Sequence, residues 1–279
     1  MIIYFLKSIV LGIVQGFTEF LPVSSTAHLI LSVNLLKLDF TEFIKSFIII
    51  IQFASILAVI VLYWKKIWSS WDNIKKIITA FIPTAILGLI FYKVVKNFLQ
   101  ESLEIIALAL FLGGVVMLLL EKRYKHKKQL VTNIKEGLND EQKVELEKEE
   151  VNDIKDISYF QCFLIGVFQA LAIVPGVSRS AATILGGLSL GIGRLAIVEF
   201  SFLLAIPTML AASSLDLIKT GFVFNFNDLI FLIIGFIFSF IVAWISIKFL
   251  LKFIKKNDFR IFAWYRIILG VAIFLFLYT

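Results

Sequence analysis

Residues 15–29, QGFTEFLPVSSTAHL, place Gln15, Glu19, Ser24, Ser25, Thr26 and His28 around Pro22 in otherwise apolar surroundings. A carboxylate, hydroxyls and an imidazole in one short kinked stretch could converge on a single group as general base, nucleophile, and acid or phosphate donor. Gln15 lies four residues before Glu19, on the same helical face. A second stretch, PGVSRSAAT at 175–183, supplies Arg179 together with Ser178, Ser180 and Thr183. The planar guanidinium suits bidentate contact with phosphate, and hydroxyls and free backbone N–H groups at a helix start add donors, so this stretch describes an oxyanion pocket. A plainer reading of Arg179 is an ion pair with Glu19 that only locks the two stretches. Glu19 could equally be a buried, protonated carboxyl, and His28 a satisfied structural histidine. His126 lies in a lysine-rich polar stretch and reads as solvated.

The setting of these residues is a membrane. With 60% hydrophobic residues, 17% charged and 29 phenylalanines, the chain is too apolar for an ordinary soluble domain. A span needs about 20 mostly apolar residues, and 43–63, 77–96, 104–121, 195–215, 228–250 and 261–278 qualify. Residues 2–36 and 158–192 are long enough for two helices each, but Pro22 and Pro175 divide them into pieces shorter than a comfortable span. That pattern predicts two re-entrant hairpins, which are tolerated at membrane depth when buried in protein or lining a wet cavity. A cleaved signal peptide ending near Ser25-Thr26-Ala27 is the weaker alternative, because the apolar run between Lys7 and Gln15 is short and Glu19 would sit just before the cut. Cys162, the single cysteine, has no intrachain partner to oxidise with.

The two chemical stretches also repeat each other. Gly12 and Gly166, Gln15 and Gln169, Ser24 and Ser178, and Thr26 and Ser180 are each 154 positions apart. Each stretch is followed by three spans. Three is odd, so the second copy enters from the opposite side, and the expected architecture is an all-α polytopic membrane protein with an inverted-topology repeat. Residues 1–121 form the first repeat, 122–157 a polar, solvated cytoplasmic linker, and 158–279 the second repeat. Lysines and arginines follow the first, third and fifth spans, which places those loops in the cytoplasm, while 37–42, 97–103 and 216–227 would face outward. The net charge of +7 is mostly this inside bias, and no aromatic-interleaved nucleic-acid motif accompanies it. Broken helices facing each other in inverted repeats are also a transporter architecture, so a carrier for an anion or a lipid phosphate stays open beside an enzyme.

QGFTEFLPVSSTAHL, with its (E/Q)-x-x-x-E pattern from Gln15 to Glu19, and PGVSRSAAT resemble the bacterial undecaprenyl-diphosphate phosphatase family of the bacitracin-resistance type. EFSFLLAIP at 199–207 and WYRIILG at 264–270 are similar to that family too, whereas 122–157 is least like it. The resemblance implies six transmembrane helices plus two re-entrant helix hairpins in the bacterial cytoplasmic membrane, often as a homodimer, with the site opening outward. It implies hydrolysis of undecaprenyl diphosphate to undecaprenyl phosphate, which recycles the lipid carrier of wall synthesis. Glu19, Ser25, His28 and Arg179 would be the catalytic set. Gln15, Ser24, Thr26, Ser178, Ser180 and Thr183 would bind substrate, and Glu19 would contact a divalent cation such as magnesium or calcium, with no organic cofactor. Gln15 stands where many relatives carry glutamate, which weakens any mechanism needing two carboxylates there. Ser25 would attack the terminal phosphorus with Glu19 or His28 as base, or water would attack directly.

Overall fold

Two of the four prolines break helices and two do not, and that difference shapes the molecule. Pro83 and Pro207 sit inside continuous helices, a placement that membrane helices tolerate. Thr208, beside Pro207, donates its hydroxyl to the Leu204 carbonyl at 2.7 Å. Pro22 and Pro175 instead fall in turns, each followed by a serine that caps a new helix.

The computed structural model describes residues 2–68, 70–94, 102–136, 151–220 and 225–278, and among these every regular element is helical. The first broken segment gives α1 (Ile2–Thr18) and α2 (Ser25–Leu35). Three long helices follow: α3 (Glu42–Trp68), α4 (Trp71–Val94) and α5 (Leu103–Glu136). The second broken segment gives α6 (Tyr159–Ala170), a 3₁₀ turn at Leu171–Ile173, and α7 (Arg179–Ser189). Then come α8 (Arg194–Thr220), α9 (Phe226–Ile254) and α10 (Arg260–Tyr278). Six helices, α3, α4, α5, α8, α9 and α10, are long and apolar enough to cross a membrane. With 17, 11, 12 and 11 residues, α1, α2, α6 and α7 fall short of the ~20 that a span needs.

The polar segment after the third span departs from expectation at both ends. Helix α5 does not stop near residue 121 but continues through the lysine-rich run to Glu136, because Glu, Lys, Arg and Gln are good helix formers whether or not lipid surrounds them. At the other end, residues 151–157 are anchored to the core by their apolar members, while Asn152, Asp153, Lys155 and Asp156 are exposed. Val151 forms an isolated bridge with Ile192, and Ile154 and Ile157 are buried in the core. Residues 137–150 lie outside the described residues, as do 97–101 and 221–224 of the expected outer connections.

Close helix contacts rest on glycine. Helix α1 lies along α9, where a Cβ on Gly12 would stand 2.5 Å from the Gly235 carbonyl oxygen. Helix α6 lies along α4 in the same way, and a Cβ on Gly166 would stand 2.0 Å from the Ala80 oxygen. Helices α5 and α10 pair closely as well, while α3 packs against both α8 and α9. This is the small-residue packing that membrane helices use where lipid supplies no hydrophobic drive between them.

Candidate active site

The turn before α2 and the turn before α7 are built alike. Ser24 and Ser178 both cap their helices with positive φ, 74° and 72°, a conformation that non-glycine residues rarely adopt. Each capping hydroxyl accepts from the backbone N–H three residues on, Ala27 at 3.5 Å and Ala181 at 3.2 Å. The residue after each cap, Ser25 in one turn and Arg179 in the other, is therefore the first of its helix. Strain of this kind, about 1–3 kcal/mol per residue, persists where surrounding structure enforces it and clusters at functional sites.

Glu19 is the meeting point of the two turns. Its Oε1 accepts from Arg179 Nη2 at 2.9 Å, and its Oε2 accepts from Ser25 Oγ at 2.7 Å and from Gln15 Nε2 at 2.8 Å. The glutamate is 5% exposed and the arginine side chain 12%. Removing either member of such a buried pair typically costs about 3–5 kcal/mol, because it strands the other charge. Arg179 Nη1 also donates to the Ser201 carbonyl at 3.0 Å. Two buried polar atoms here have no protein partner, Arg179 Nε and Gln15 Oε1. Beside one carboxylate the site thus carries an unused donor and an unused acceptor, and buried groups of that kind call for an explanation.

His28 points elsewhere. Its Nδ1 lies 2.7 Å from the Ser24 carbonyl oxygen, which can only accept, so Nδ1 carries a proton. Its Nε2 lies 2.6 Å from the Tyr265 hydroxyl of α10, not against Ser25. Ser25 therefore contacts Glu19, and His28 is held one step away by a tyrosine. Ser178 Oγ lies 3.0 Å from Ser180 Oγ, and Ser180 donates to the Leu21 carbonyl at 2.9 Å, stitching one turn to the other. Thr183 Oγ1 lies 2.6 Å from Ser201 Oγ, beneath Arg179. Thr26 is half-buried in the first turn of α2, and its hydroxyl pairs with none of the site's side chains among the described residues.

Sequence reasoning overlooked the support for this cluster. Gln15 Nε2 also reaches Ser55 Oγ of α3 at 3.4 Å, and Ser55 lies 2.9 Å from Ser239 of α9. Arg266 of α10 is wholly buried and holds carbonyls of both turns. The rule that singled out Arg179, an arginine inside an apolar span, applies equally to Arg266. Two further ion pairs, Arg194 with the buried Glu121 and Lys66 with the half-buried Glu199, tie membrane helices together.

As to a cation, no group of three His, Cys, Asp or Glu side chains comes together among the described residues. One carboxylate and the unpartnered Gln15 Oε1 fit an ion that brings most of its ligands with it, as magnesium does when it binds through one or two carboxylates plus substrate phosphates.

Fold and site together define a multi-pass, all-helical membrane protein whose buried centre holds a carboxylate between a serine hydroxyl and an arginine. The chain belongs to the bacitracin resistance protein BacA family, whose model matches residues 8–272. It is 44% identical over 273 residues to the undecaprenyl-diphosphatase of Aquifex aeolicus, covering 97% of this chain and 98% of that one. An undecaprenyl-diphosphatase of Campylobacter jejuni is 45% identical over 275 residues, covering 98% and 95%, and one of Bdellovibrio bacteriovorus is 39% identical.

Proposed function

We propose that this protein is an integral-membrane undecaprenyl-diphosphatase, which releases inorganic phosphate from undecaprenyl diphosphate, regenerates the undecaprenyl-phosphate carrier for wall synthesis and thereby confers bacitracin resistance. Relatives of that name over nearly the whole chain support the reading. The observation that carries it is the 2.7 Å contact of Ser25 Oγ with Glu19, a carboxylate that Arg179 holds from its other side. A carrier or flippase needs an arginine for its anion but has no use for a serine poised on a base.

In this mechanism the terminal phosphate takes the Arg179 fork, including the free Nε, which loosens Arg179 from Glu19. Glu19 then accepts the Ser25 proton as Ser25 Oγ attacks the terminal phosphorus, and the bond to the bridging oxygen breaks to release undecaprenyl phosphate. Undecaprenyl phosphate leaves with that proton, which restores the Glu19 carboxylate; Glu19 then deprotonates a water that attacks the phosphoserine, and returns the proton to Ser25 Oγ as inorganic phosphate leaves. Phosphoryl transfer asks mainly for positioning and neutralised charge. The N-terminal amides of α2 and α7 supply donors for the phosphate oxygens, while the hydroxyls of Ser178, Ser180 and Thr183, already bonded within the protein, hold the turn that presents them. A magnesium- or calcium-like ion would be held by Glu19, Gln15 Oε1 and the substrate phosphates, and would neutralise phosphate charge. Direct attack by water with Glu19 as base is the competing course.

The finer architecture follows the same reading. Gly12 and Gly166, Gln15 and Gln169, and Ser24 and Ser178 play matching parts at a separation of 154 positions. Gln15 reaches Ser55 of α3, and Gln169 reaches Thr208 of α8 at 3.0 Å. That correspondence supports two inverted repeats, each with a re-entrant hairpin (α1–α2 and α6–α7), in the bacterial cytoplasmic membrane. The site would open outward, and a homodimer is the expected assembly.

The test is phosphate release from undecaprenyl diphosphate by detergent-purified protein, with wild type compared to Glu19→Ala, Arg179→Ala and Ser25→Ala at equal folded yield. The serine mechanism requires all three to lose at least about 100-fold. Full activity in Ser25→Ala would leave the water mechanism, and no release by folded wild type across several divalent cations would overturn the phosphatase.

A further inference from the structure

Arg266 is the largest fully buried side chain among the described residues, and its partners are all main-chain carbonyls. Nη1 donates to Pro22 O at 3.2 Å and to Val177 O at 3.0 Å, while Nη2 donates to Gly176 O at 3.1 Å and to Ala109 O at 3.2 Å. Three of those oxygens belong to the two broken turns. Pro22 lies two residues before Ser24, and Val177 immediately before Ser178, so a single nitrogen joins the backbone leading into Ser25 to the backbone leading into Arg179.

The surroundings are shaped for this guanidinium. A Cβ on Gly113 of α5 would stand 2.1 Å from Nη2, and Gly176 reaches its position at a φ of 93° that favours glycine. No carboxylate pairs with Arg266 among the described residues. A buried cation without a counter-ion is costly in a membrane unless carbonyl dipoles replace water around it. Four carbonyls do so here, and Arg is the residue whose rigid fork can address several acceptors in one plane.

We infer that Arg266 is a positioning residue for the reaction: by holding carbonyls of both turns at once, it sets the distance between the Ser25–Glu19 pair and Arg179. The inference rests on the phosphatase reading, since it concerns the spacing of that reading's catalytic groups. Lysine keeps the charge at this place but offers a point ammonium that cannot bridge all four oxygens. A misplacement of about 1 Å can cost on the order of 100-fold in rate.

The experiment compares wild type, Arg266→Lys and Gly113→Ala as full-length protein in detergent, by steady-state phosphate release from undecaprenyl diphosphate and by hydrogen–deuterium exchange. Arg266→Lys is expected to lower kcat on the order of 100-fold with KM nearly unchanged. Its exchange should quicken in peptides covering 19–27 and 173–181 and stay as in wild type in α3 and α8. Gly113→Ala keeps the arginine but displaces its guanidinium, so the same two effects should appear in smaller measure; it decides the matter if Arg266→Lys does not fold. Turnover within about twofold of wild type in the folded variants, or exchange that rises evenly over the whole protein, would overturn the inference. If wild type itself releases no phosphate, the phosphatase reading fails, while exchange confined to the two turns still reports whether Arg266 joins them.

Discussion

In the proposed mechanism Glu19 is the residue on which the chemistry turns, and its partners sort the candidates by role. Ser25 shares an oxygen of that carboxylate, so the serine and its base are paired before any substrate arrives. His28 was the other candidate base, and its ring is committed to Ser24 O on one side and Tyr265 on the other. In that tautomer Nε2 accepts the Tyr265 hydroxyl proton, so the ring is occupied on both sides and Glu19, not His28, stands against Ser25. Tyr265→Phe, which keeps the ring stacked on His28 and removes only the hydroxyl, is expected to lower kcat by about 2- to 10-fold, the worth of one net hydrogen bond. An unchanged kcat would make the tyrosine contact incidental.

At the scale of the elements, the site depends on how closely α1 approaches α9 and α6 approaches α4, because those helices deliver Glu19 and the Pro175 turn. Gly166 permits the tighter of the two approaches. Gly166→Ala must push α6 away from the Ala80 carbonyl and should destabilise the protein by about 1–3 kcal/mol, visible as a lower thermal midpoint in detergent. Gly88 of α4 makes the matched control, since a Cβ there meets nothing within 4 Å. Gly88→Ala should be neutral or stabilising by up to about 1 kcal/mol through helix propensity. Equal effects from the two substitutions would mean that backbone flexibility, and not the close approach, sets the stability.

For the whole molecule, the charge pattern and the proposed repeats make a topological prediction. An impermeant maleimide added to intact cells should label Lys37→Cys and leave Lys256→Cys unlabelled until the membrane is opened, while buried Cys162 stays silent throughout. Labelling of both from outside would remove the inverted arrangement. How much of this was legible beforehand depended on whether a feature is local. Six spans, two proline-broken segments and the motif residues Gln15, Glu19, Ser25, His28 and Arg179 could all be read from the chain, because apolar length and the presence of polar groups inside it are properties of short windows. The extension of α5 to Glu136 was also a local matter, hidden only because a polar run was equated with a loop. That Ser25 faces Glu19 while His28 faces Tyr265 could not be read, nor could the Arg266 clamp, since Tyr265 and Arg266 lie more than 200 residues from their partners in the first turn. Composition and periodicity thus determined what the chain must bury and which groups it carries into the membrane; only helix packing decided which of those groups touch, because a hydrogen bond is fixed by separations in space that sequence distance does not measure.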